Sequence, residues 1–182
     1  MMKESNHKER QLSIIGDEFD SLIKRIIANH VNAGQVASGR TKRSLRKVLS
    51  GEGGEVLGRA YFGVLETGRK PGAVPKGFRY VIRQWMKDKG ISAEPIPYVR
   101  EPSDKWKPKY TPQERGDMRL AGAIAYRIGK EGTRLYRDGG RDDIYSNEIP
   151  ITIENILDKV LAVFAEDVES ININSINEDK SN

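Results

Sequence analysis

The chain has 182 residues, 37% of them hydrophobic, which suffices for one moderate core and hardly for two. It contains no cysteine, which excludes disulfides, thiolate metal sites and a cysteine nucleophile. The net charge is +5, and no segment approaches the roughly 20 apolar residues that a membrane span needs, so we expect a soluble protein without membrane contact.

The first predicted element is an amphipathic helix over residues 11–31, preceded by a polar N-terminal extension over residues 1–10. Its apolar residues recur at three- and four-residue spacing: Leu12, Ile15, Phe19, Leu22, Ile23, Ile26 and Val31. The next segment, SGRTKRSLRK, is predicted as a short helix capped by Ser38. It holds five basic residues and no acid, which form a candidate basic patch: Arg40, Lys42, Arg43, Arg46 and Lys47.

The SGEGG stretch predicts a turn, followed by a strand over residues 55–60. A helix is expected from Phe78 to Lys89, with Gly90 at its C-terminal cap. Four of its side chains are expected in the core: Val81, Ile82, Trp85 and Met86.

Residues 92–112 contain five of the eight prolines, which predicts an extended arm because proline fixes φ and lacks an amide donor. Thr111 as a cap, proline at the next position and an early Glu114 predict a helix from there to Gly132. A turn at residues 138–140 is predicted between two short strands.

The last predicted helix ends near Val168, and the polar residues 171–182 form a tail. Its expected apolar stripe is Ile153, Ile156, Leu157, Val160, Leu161 and Phe164. Residues 144–182 hold two basic and eight acidic residues, whereas the rest of the chain carries +11. This acidic end is either a solvated helix or a surface that docks on the basic part of another copy, with Asp158, Glu166 and Asp167 as candidate docking acids.

No pattern typical of a catalytic, metal or cofactor site is evident. The glycines of SGEGGEVLG lack the Lys-Ser/Thr step of a phosphate-binding loop, and DGGRDD lacks the alternating ligands of a calcium loop. His7 and His30 have no partner at metal-ligand spacing. We therefore expect neither enzymatic activity nor a bound cofactor.

Nucleic-acid binding remains an alternative. The basic patch could contact several phosphates, and three aromatic residues interleave with lysines and arginine in the proline-rich arm: Tyr98, Trp106 and Tyr110. Arginine, tyrosine and tryptophan also anchor protein interfaces, so this composition fits either partner.

The segment AYFGVLETGRKPGAVPKGF completes an order of elements that resembles the tail-completion or neck proteins of tailed bacteriophages. The resemblance covers residues 11–90 and rests on these positions: Ser38-Gly39, Ser44-Leu45, Tyr61, Val64-Leu65-Glu66, Gly68 and Arg69. The proline-rich arm and AIAYRIGKEGTRLYRDGGRDD depart from that pattern. In this segment we expect a short helical turn whose aromatic pair packs on the core, a left-handed Gly68, and a stiff exposed loop carrying Arg69 and Lys70.

With this resemblance we predict one α+β domain over residues 11–170, with a small antiparallel sheet, a long N-terminal helix, a middle helix pair and a C-terminal helix. The resemblance implies a structural subunit of the virion neck, made in the host cytoplasm, that joins the head portal to the tail. Expected partners are further copies in a sixfold or twelvefold ring, portal and tail proteins, and non-specific DNA in the lumen. The alternative is a basic packaging protein that binds DNA. Candidate docking residues are Tyr61, Glu66, Gly68, Arg69, Lys70 and Trp106.

Overall fold

The computed structural model describes residues 2–51, 53–99, 105 and 107–179. These form a small α+β fold: within them one two-stranded antiparallel sheet accompanies the helices. The chain divides into two compact units, each described by itself. Unit 1 comprises Met1–Gly34, Thr41–Ala60 and Asp142–Asn182, and unit 2 comprises Gln35–Arg40 and Tyr61–Arg141.

Unit 1 is built around a long first helix, α1 (Met2–Asn32). A hairpin of β1 (Arg46–Ser50) and β2 (Gly53–Leu57) packs on α1, and so does the last helix, α6 (Glu148–Asp179). The hairpin register pairs Arg46 with Leu57 and Ser50 with Gly53. Its buried apolar side chains are few: Leu22, Ile26, Ile144 and Val163.

Both long helices extend beyond their predicted ends. Helix α1 begins at Met2, so residues 2–10 are helical and do not form a separate polar extension. Helix α6 continues through the polar residues after Val168 as far as Asp179. Neither added stretch contains proline or glycine, and Arg10 of α1 is anchored by an ion pair to Glu166 of α6, which favours continued helix at both ends.

The SGRTKRSLRK segment is mostly not helical, which corrects the prediction of a short capped helix. One 3-10 turn (Lys42–Ser44) leads directly into β1. The Lys47 ammonium donates to Asp20 Oδ2 at 2.6 Å and to the Gly16 carbonyl at 2.9 Å, both on α1. These tertiary contacts hold an extended conformation. The strand predicted over residues 55–60 is β2, which begins and ends earlier, at Gly53 and Leu57, because it pairs with β1 across the turn.

Unit 2 centres on α3 (Phe78–Asp88) and α4 (Pro112–Glu131), whose predicted bounds are confirmed within a residue. Their core contains Ile82, Met86, Ala121 and Ala125. The predicted burial of two other α3 residues is wrong: Val81 is 61% exposed and Trp85 38% exposed. Ala121 and Ala125 of α4 are buried in this core, and Leu120, Ile124 and Ile128 of α4 pack against it partly buried, so the contact covers Ile82 and Met86 but leaves Val81 and Trp85 at its edge.

The predicted cap of α4 is confirmed in full. Thr111 Oγ1 accepts from the Glu114 amide at 3.1 Å, and the Glu114 carboxylate accepts from the Thr111 amide at 3.1 Å. This reciprocal capping box starts the helix at Pro112.

Two four-residue helices complete unit 2, α2 (Val64–Thr67) and α5 (Arg134–Arg137). Helix α5 lies where the first of two short strands was predicted, and no strand occurs on either side of residues 138–140. Thr133 caps α5 by accepting from the Tyr136 amide at 3.4 Å, and Gly139 and Gly140 follow with φ of 90° and 84°. A local cap followed by two positive-φ glycines favours a helical turn over a hairpin here.

Candidate functional site

The segment 60–78 that carries the phage resemblance lies in unit 2 and begins with the short helix α2. Its aromatic pair does not pack inward as predicted, because Tyr61 is 53% exposed and Phe62 is only partly buried. The Glu66 side chain is buried, and the Glu66 carbonyl accepts from the Arg141 amide at 2.9 Å. Tyr61 is therefore the more exposed residue of the pair.

Gly68 is the residue that fixes the geometry of this segment. Its φ of 66° is positive as predicted, but its ψ of 178° lies outside the left-handed helical region. A Cβ at this position would lie 2.4 Å from the Tyr136 backbone nitrogen. Glycine is needed here both for its backbone conformation and for the close approach of α5.

The next residue continues this junction through its backbone. The Arg69 amide donates to Thr133 Oγ1 at 2.9 Å, and the Thr133 amide donates to the Arg69 carbonyl at 2.9 Å. A Cβ on Gly132 would lie 2.7 Å from that carbonyl. The segment 60–78 and the segment 132–141 are thus interlocked in one structural corner.

The Arg69 side chain is partly buried and serves the loop itself. Its Nη2 donates to the Ala73 carbonyl at 2.7 Å, and its guanidinium lies 5.5 Å from the centre of the Phe78 ring. Lys70 is exposed, as expected for the loop that carries Arg69 and Lys70. The predicted stiff loop is therefore present, with Lys70 and not Arg69 as its outward-facing cation.

The proline-rich arm is anchored at its base to the start of α4. The Ile96 amide donates to the Pro112 carbonyl at 2.9 Å, and Arg115 Nη1 donates to the Pro97 carbonyl at 2.9 Å. The Arg115 guanidinium also lies 4.5 Å from the centre of the Tyr98 ring. Trp106, the candidate docking residue at the far part of the arm, lies outside the described residues.

The candidate basic patch is divided between the two units. Arg40 belongs to unit 2, where its Nε donates to Ser38 Oγ at 3.1 Å. The other four residues belong to unit 1, and of these Arg43 and Arg46 are exposed while Lys42 and Lys47 are partly buried.

Two of the three candidate docking acids pair within their own chain. Glu166 lies 2.7 Å from Arg10 Nη2, and Asp167 lies 2.8 Å from His7 Nδ1 and 3.9 Å from Arg10 Nη1. Asp158 is exposed, and none of the ion pairs among the described residues includes it. Reversing Glu166 or Asp167 would therefore break ion pairs within unit 1 as well as change the exposed surface.

Helix α6 faces α1 with polar side chains. Lys159 Nζ lies 2.5 Å from Glu18 Oε1, and Asn155 Nδ2 donates to Glu18 Oε2 at 3.3 Å. The Lys159 hydrogen bond, the largest influence on this buried carboxyl, holds the pKa of Glu18 below its usual value. One helical face of α6 is thus committed to charged and polar contacts with α1.

A second polar cluster lies further along the same contact. The Arg25 guanidinium donates to Glu148 Oε2 at 2.6 Å and to Thr152 Oγ1 at 2.7 Å, and Asn29 Nδ2 donates to Glu148 Oε1 at 3.0 Å. The Asn29 hydrogen bond, followed by that of Arg25, also lowers the pKa of Glu148.

We expect this contact to be acid-sensitive. A carboxyl whose pKa is lower in the folded state contributes stability above its unfolded pKa and loses it as pH falls through the folded pKa. Glu18→Gln should cost about 1 to 3 kcal/mol at neutral pH, because Lys159 loses a charged acceptor, and should flatten the fall in stability below about pH 4.5. Hydrogen exchange of the α6 amides against pH measures this. Asp17→Asn, at an exposed position of α1, is the control, and an unchanged acid profile for Glu18→Gln would contradict the account.

Four residues of the predicted apolar stripe of α6 are exposed together with Val168, whereas the other two, Ile156 and Val160, are partly buried. Ile153, Leu157 and Leu161 are 53%, 56% and 63% exposed, and Phe164 and Val168 are 50% and 58% exposed. We call these five residues the α6 stripe. Each of the five remains at least half exposed within the described part of unit 1.

The stripe ends beside an open cleft of unit 1. The cleft has a volume of about 540 Å³, and Phe164 and Val168 line it together with Leu12 and Ile15 of α1 and Gly53 of the hairpin. It extends the apolar surface of α6 toward the tip of the hairpin.

Sequence reasoning missed Thr133 and the exposure of the stripe. The role of Thr133 had a usable signal in the sequence, because Gly132 is a helix terminator and an N-cap residue follows it at once.

Within the described residues, no three histidine or acidic side chains are grouped to hold a metal ion, and no helix is long and apolar enough to cross a membrane. Comparisons with protein-family models, curated protein sequences and solved structures give no match to this chain.

Proposed function

We propose that this chain is a structural subunit of a tailed-phage virion, placed in the neck or tail-completion ring that joins the head portal to the tail. The observation that carries the proposal is the exposed α6 stripe. Five large apolar side chains on one helix face, each at least half exposed, form a surface that a free monomer rarely presents. A subunit that functions inside an assembly needs such a surface.

The structural corner between residues 60–78 and 132–141 supports the same proposal. It holds the part of the sequence that resembles neck proteins in a rigid shape and presents Tyr61 and Lys70 outward. A rigid corner with an aromatic and a basic side chain suits docking on a neighbouring protein. The proposal assigns the chain no reaction and no cofactor, and its partners are further copies, the portal and the tail.

The charge of the two units also favours assembly. Unit 2 has 19 basic and 9 acidic residues, a net charge of +10, whereas unit 1 has 12 basic and 17 acidic residues, a net charge of −5. Identical subunits that meet head to tail need two different and complementary surfaces. Oppositely charged units on every copy supply them.

The test is a nonsense mutation in this gene, in the phage that encodes it. The proposal predicts DNA-filled heads and finished tails that remain separate, and joining on addition of the purified protein. Electron microscopy of the lysate measures both. Normal virions without the protein would contradict the proposal.

The alternative, a packaging protein that binds DNA, rests on one surface of unit 2. Exposed cations on α4 flank Tyr126, which is 70% exposed: Arg119, Arg127 and Lys130. Part of this charge is neutralised, since Arg127 Nε lies 2.9 Å from Glu131. The structural proposal predicts weak binding to duplex DNA that is lost at moderate salt concentration. The nonsense mutant separates the two functions, because a packaging defect leaves empty heads.

A further inference from the structure

We infer that the α6 stripe binds the exposed face of α3 on a second copy of this chain. The inference deepens the proposed function, on which it rests, by naming the two surfaces that meet between neighbouring subunits. Three observations carry it: the apolar area of α6, the charges beside the stripe, and the exposed large apolar side chains of α3, which are more numerous than on any other described helix of unit 2.

The size of the stripe calls for a macromolecular partner. Five side chains that are half exposed or more present on the order of 500 Å² of apolar surface, close to the largest patch of a typical monomer and more than half of the ~800 Å² that each partner gives to a standard interface. They follow one another at spacings of four, four, three and four residues, so they form a continuous seam along the helix. A seam of this form fits another helix.

Charge favours a basic partner helix over a second α6. At about 100° per residue, Glu154 lies at one edge of the stripe, and Asp158 lies further from the centre of the stripe on the same side. Both acids are exposed, and they are absent from the ion pairs among the described residues. Two antiparallel α6 helices packed through their stripes would set these acidic edges against each other, which is unfavourable, so a basic partner helix fits better.

Helix α3 meets this requirement. Its outer side presents Tyr80, Val81 and Trp85, which are 48%, 61% and 38% exposed. The same helix carries exposed Arg79 and Lys87. Arg79 Nη2 donates to Tyr80 Oη at 3.2 Å, and Asp88, also exposed, lies beside Val81 and Trp85 on the helix. The exposed charges of α3, two cations and one acid, therefore sum to +1, which complements the acids beside the α6 stripe.

The contact is heterologous, because α6 belongs to unit 1 and α3 to unit 2. Each copy therefore has the α6 stripe as one binding surface and the outer face of α3 as the other, and repetition of the contact builds a closed ring or an open filament. A twofold dimer does not result, since the two surfaces differ.

The first test removes the stripe. In sedimentation at micromolar concentration, the wild-type chain should be larger than its 20.5 kDa monomer. Leu157→Ser with Leu161→Ser should raise the dissociation constant at least tenfold, with unchanged helix content by circular dichroism. Ile151→Ser is the matched control: this residue is 47% exposed on the same helix but lies outside the stripe. Wild-type assembly of the double variant, or an equal effect of the control, would overturn the inference.

The second test identifies the receptor by exchanging charges. Glu154→Lys with Asp158→Lys should weaken assembly by about three- to tenfold, and Arg79→Glu with Lys87→Glu should do the same. All four changes in one chain should restore it. A combined variant that assembles no better than either pair would show that α3 is not the receptor.

The outcomes also separate this inference from the function on which it rests. Stripe variants that assemble normally, in a phage whose nonsense mutant still fails to join heads to tails, would refute the surface and leave the function standing. A nonsense mutant that joins normally would refute the function, whatever the stripe variants do.

Discussion

Gly68→Ala should destabilise unit 2 by about 2 to 4 kcal/mol, because it places a Cβ 2.4 Å from the Tyr136 nitrogen on a backbone with φ of 66°. The corner between residues 60–78 and 132–141 cannot form without moving one of the two segments. Both tryptophans of the chain, Trp85 and Trp106, belong to unit 2, so urea unfolding followed by tryptophan fluorescence reports on this unit.

Gly122→Ala is the matched control for that experiment. Gly122 lies within α4, and a Cβ there would meet no atom within 4 Å outside the backbone of its own helix. Alanine has the higher helix propensity, so this variant should be unchanged or stabilised by up to about 1 kcal/mol. Equal stability of the two variants would show that the corner is not a close contact.

Met86→Ala should be the most damaging single truncation in unit 2, at about 2 to 5 kcal/mol. Met86 is 1% exposed and lies in the cluster between α3 and α4, where the facing alanines cannot expand to fill the cavity. The free energy of unfolding in urea, at one protein concentration for all variants, measures the loss.

Val81→Ala tests the same helix on its outer side. Val81 is 61% exposed, so in the dissociated chain its truncation should change the free energy of unfolding by less than about 0.5 kcal/mol. A loss as large as that of Met86→Ala would mean that the sequence-based expectation of a buried Val81 was right after all.

Local signals in the sequence predicted several elements of unit 2 well. The bounds of α3 follow from apolar periodicity and those of α4 from the Thr111 capping box, both of which act within one or two helical turns. Periodicity shows which face of a helix is apolar and says nothing of how wide its neighbour is. Val81 and Trp85 were therefore wrongly predicted to be buried, because the width of α4 places them at the edge of the contact between α3 and α4.

Elements that depend on distant contacts were predicted less well. The first two residues of β1, Arg46 and Lys47, were expected in a helix. The strand is instead stabilised by the contact of Lys47 with Asp20 of α1, 27 residues away in the sequence. The corner at Gly68 depends on Thr133, which lies 64 residues from Arg69. Propensity scales describe neighbours in sequence, so contacts at these separations are outside their reach.

The α6 stripe shows a different limit. Four of its five residues belong to the predicted apolar face, Val168 being the addition, but an apolar face is expected both for a helix that packs in its own chain and for one that packs on another chain. Polar residues of the opposite face, among them Asn155 and Lys159, form hydrogen bonds with Glu18 of α1, and the apolar face is therefore turned away from α1. Thus the candidate surface followed from the sequence, and its exposure did not.

Electron microscopy of the purified wild-type chain tests the central claim, assembly of identical subunits into a ring, most directly. The account predicts closed rings with a hollow centre and one repeated contact in which α6 of each copy lies on α3 of the next. Dispersed monomers at micromolar concentration, or twofold dimers joined through two α6 helices, would contradict it.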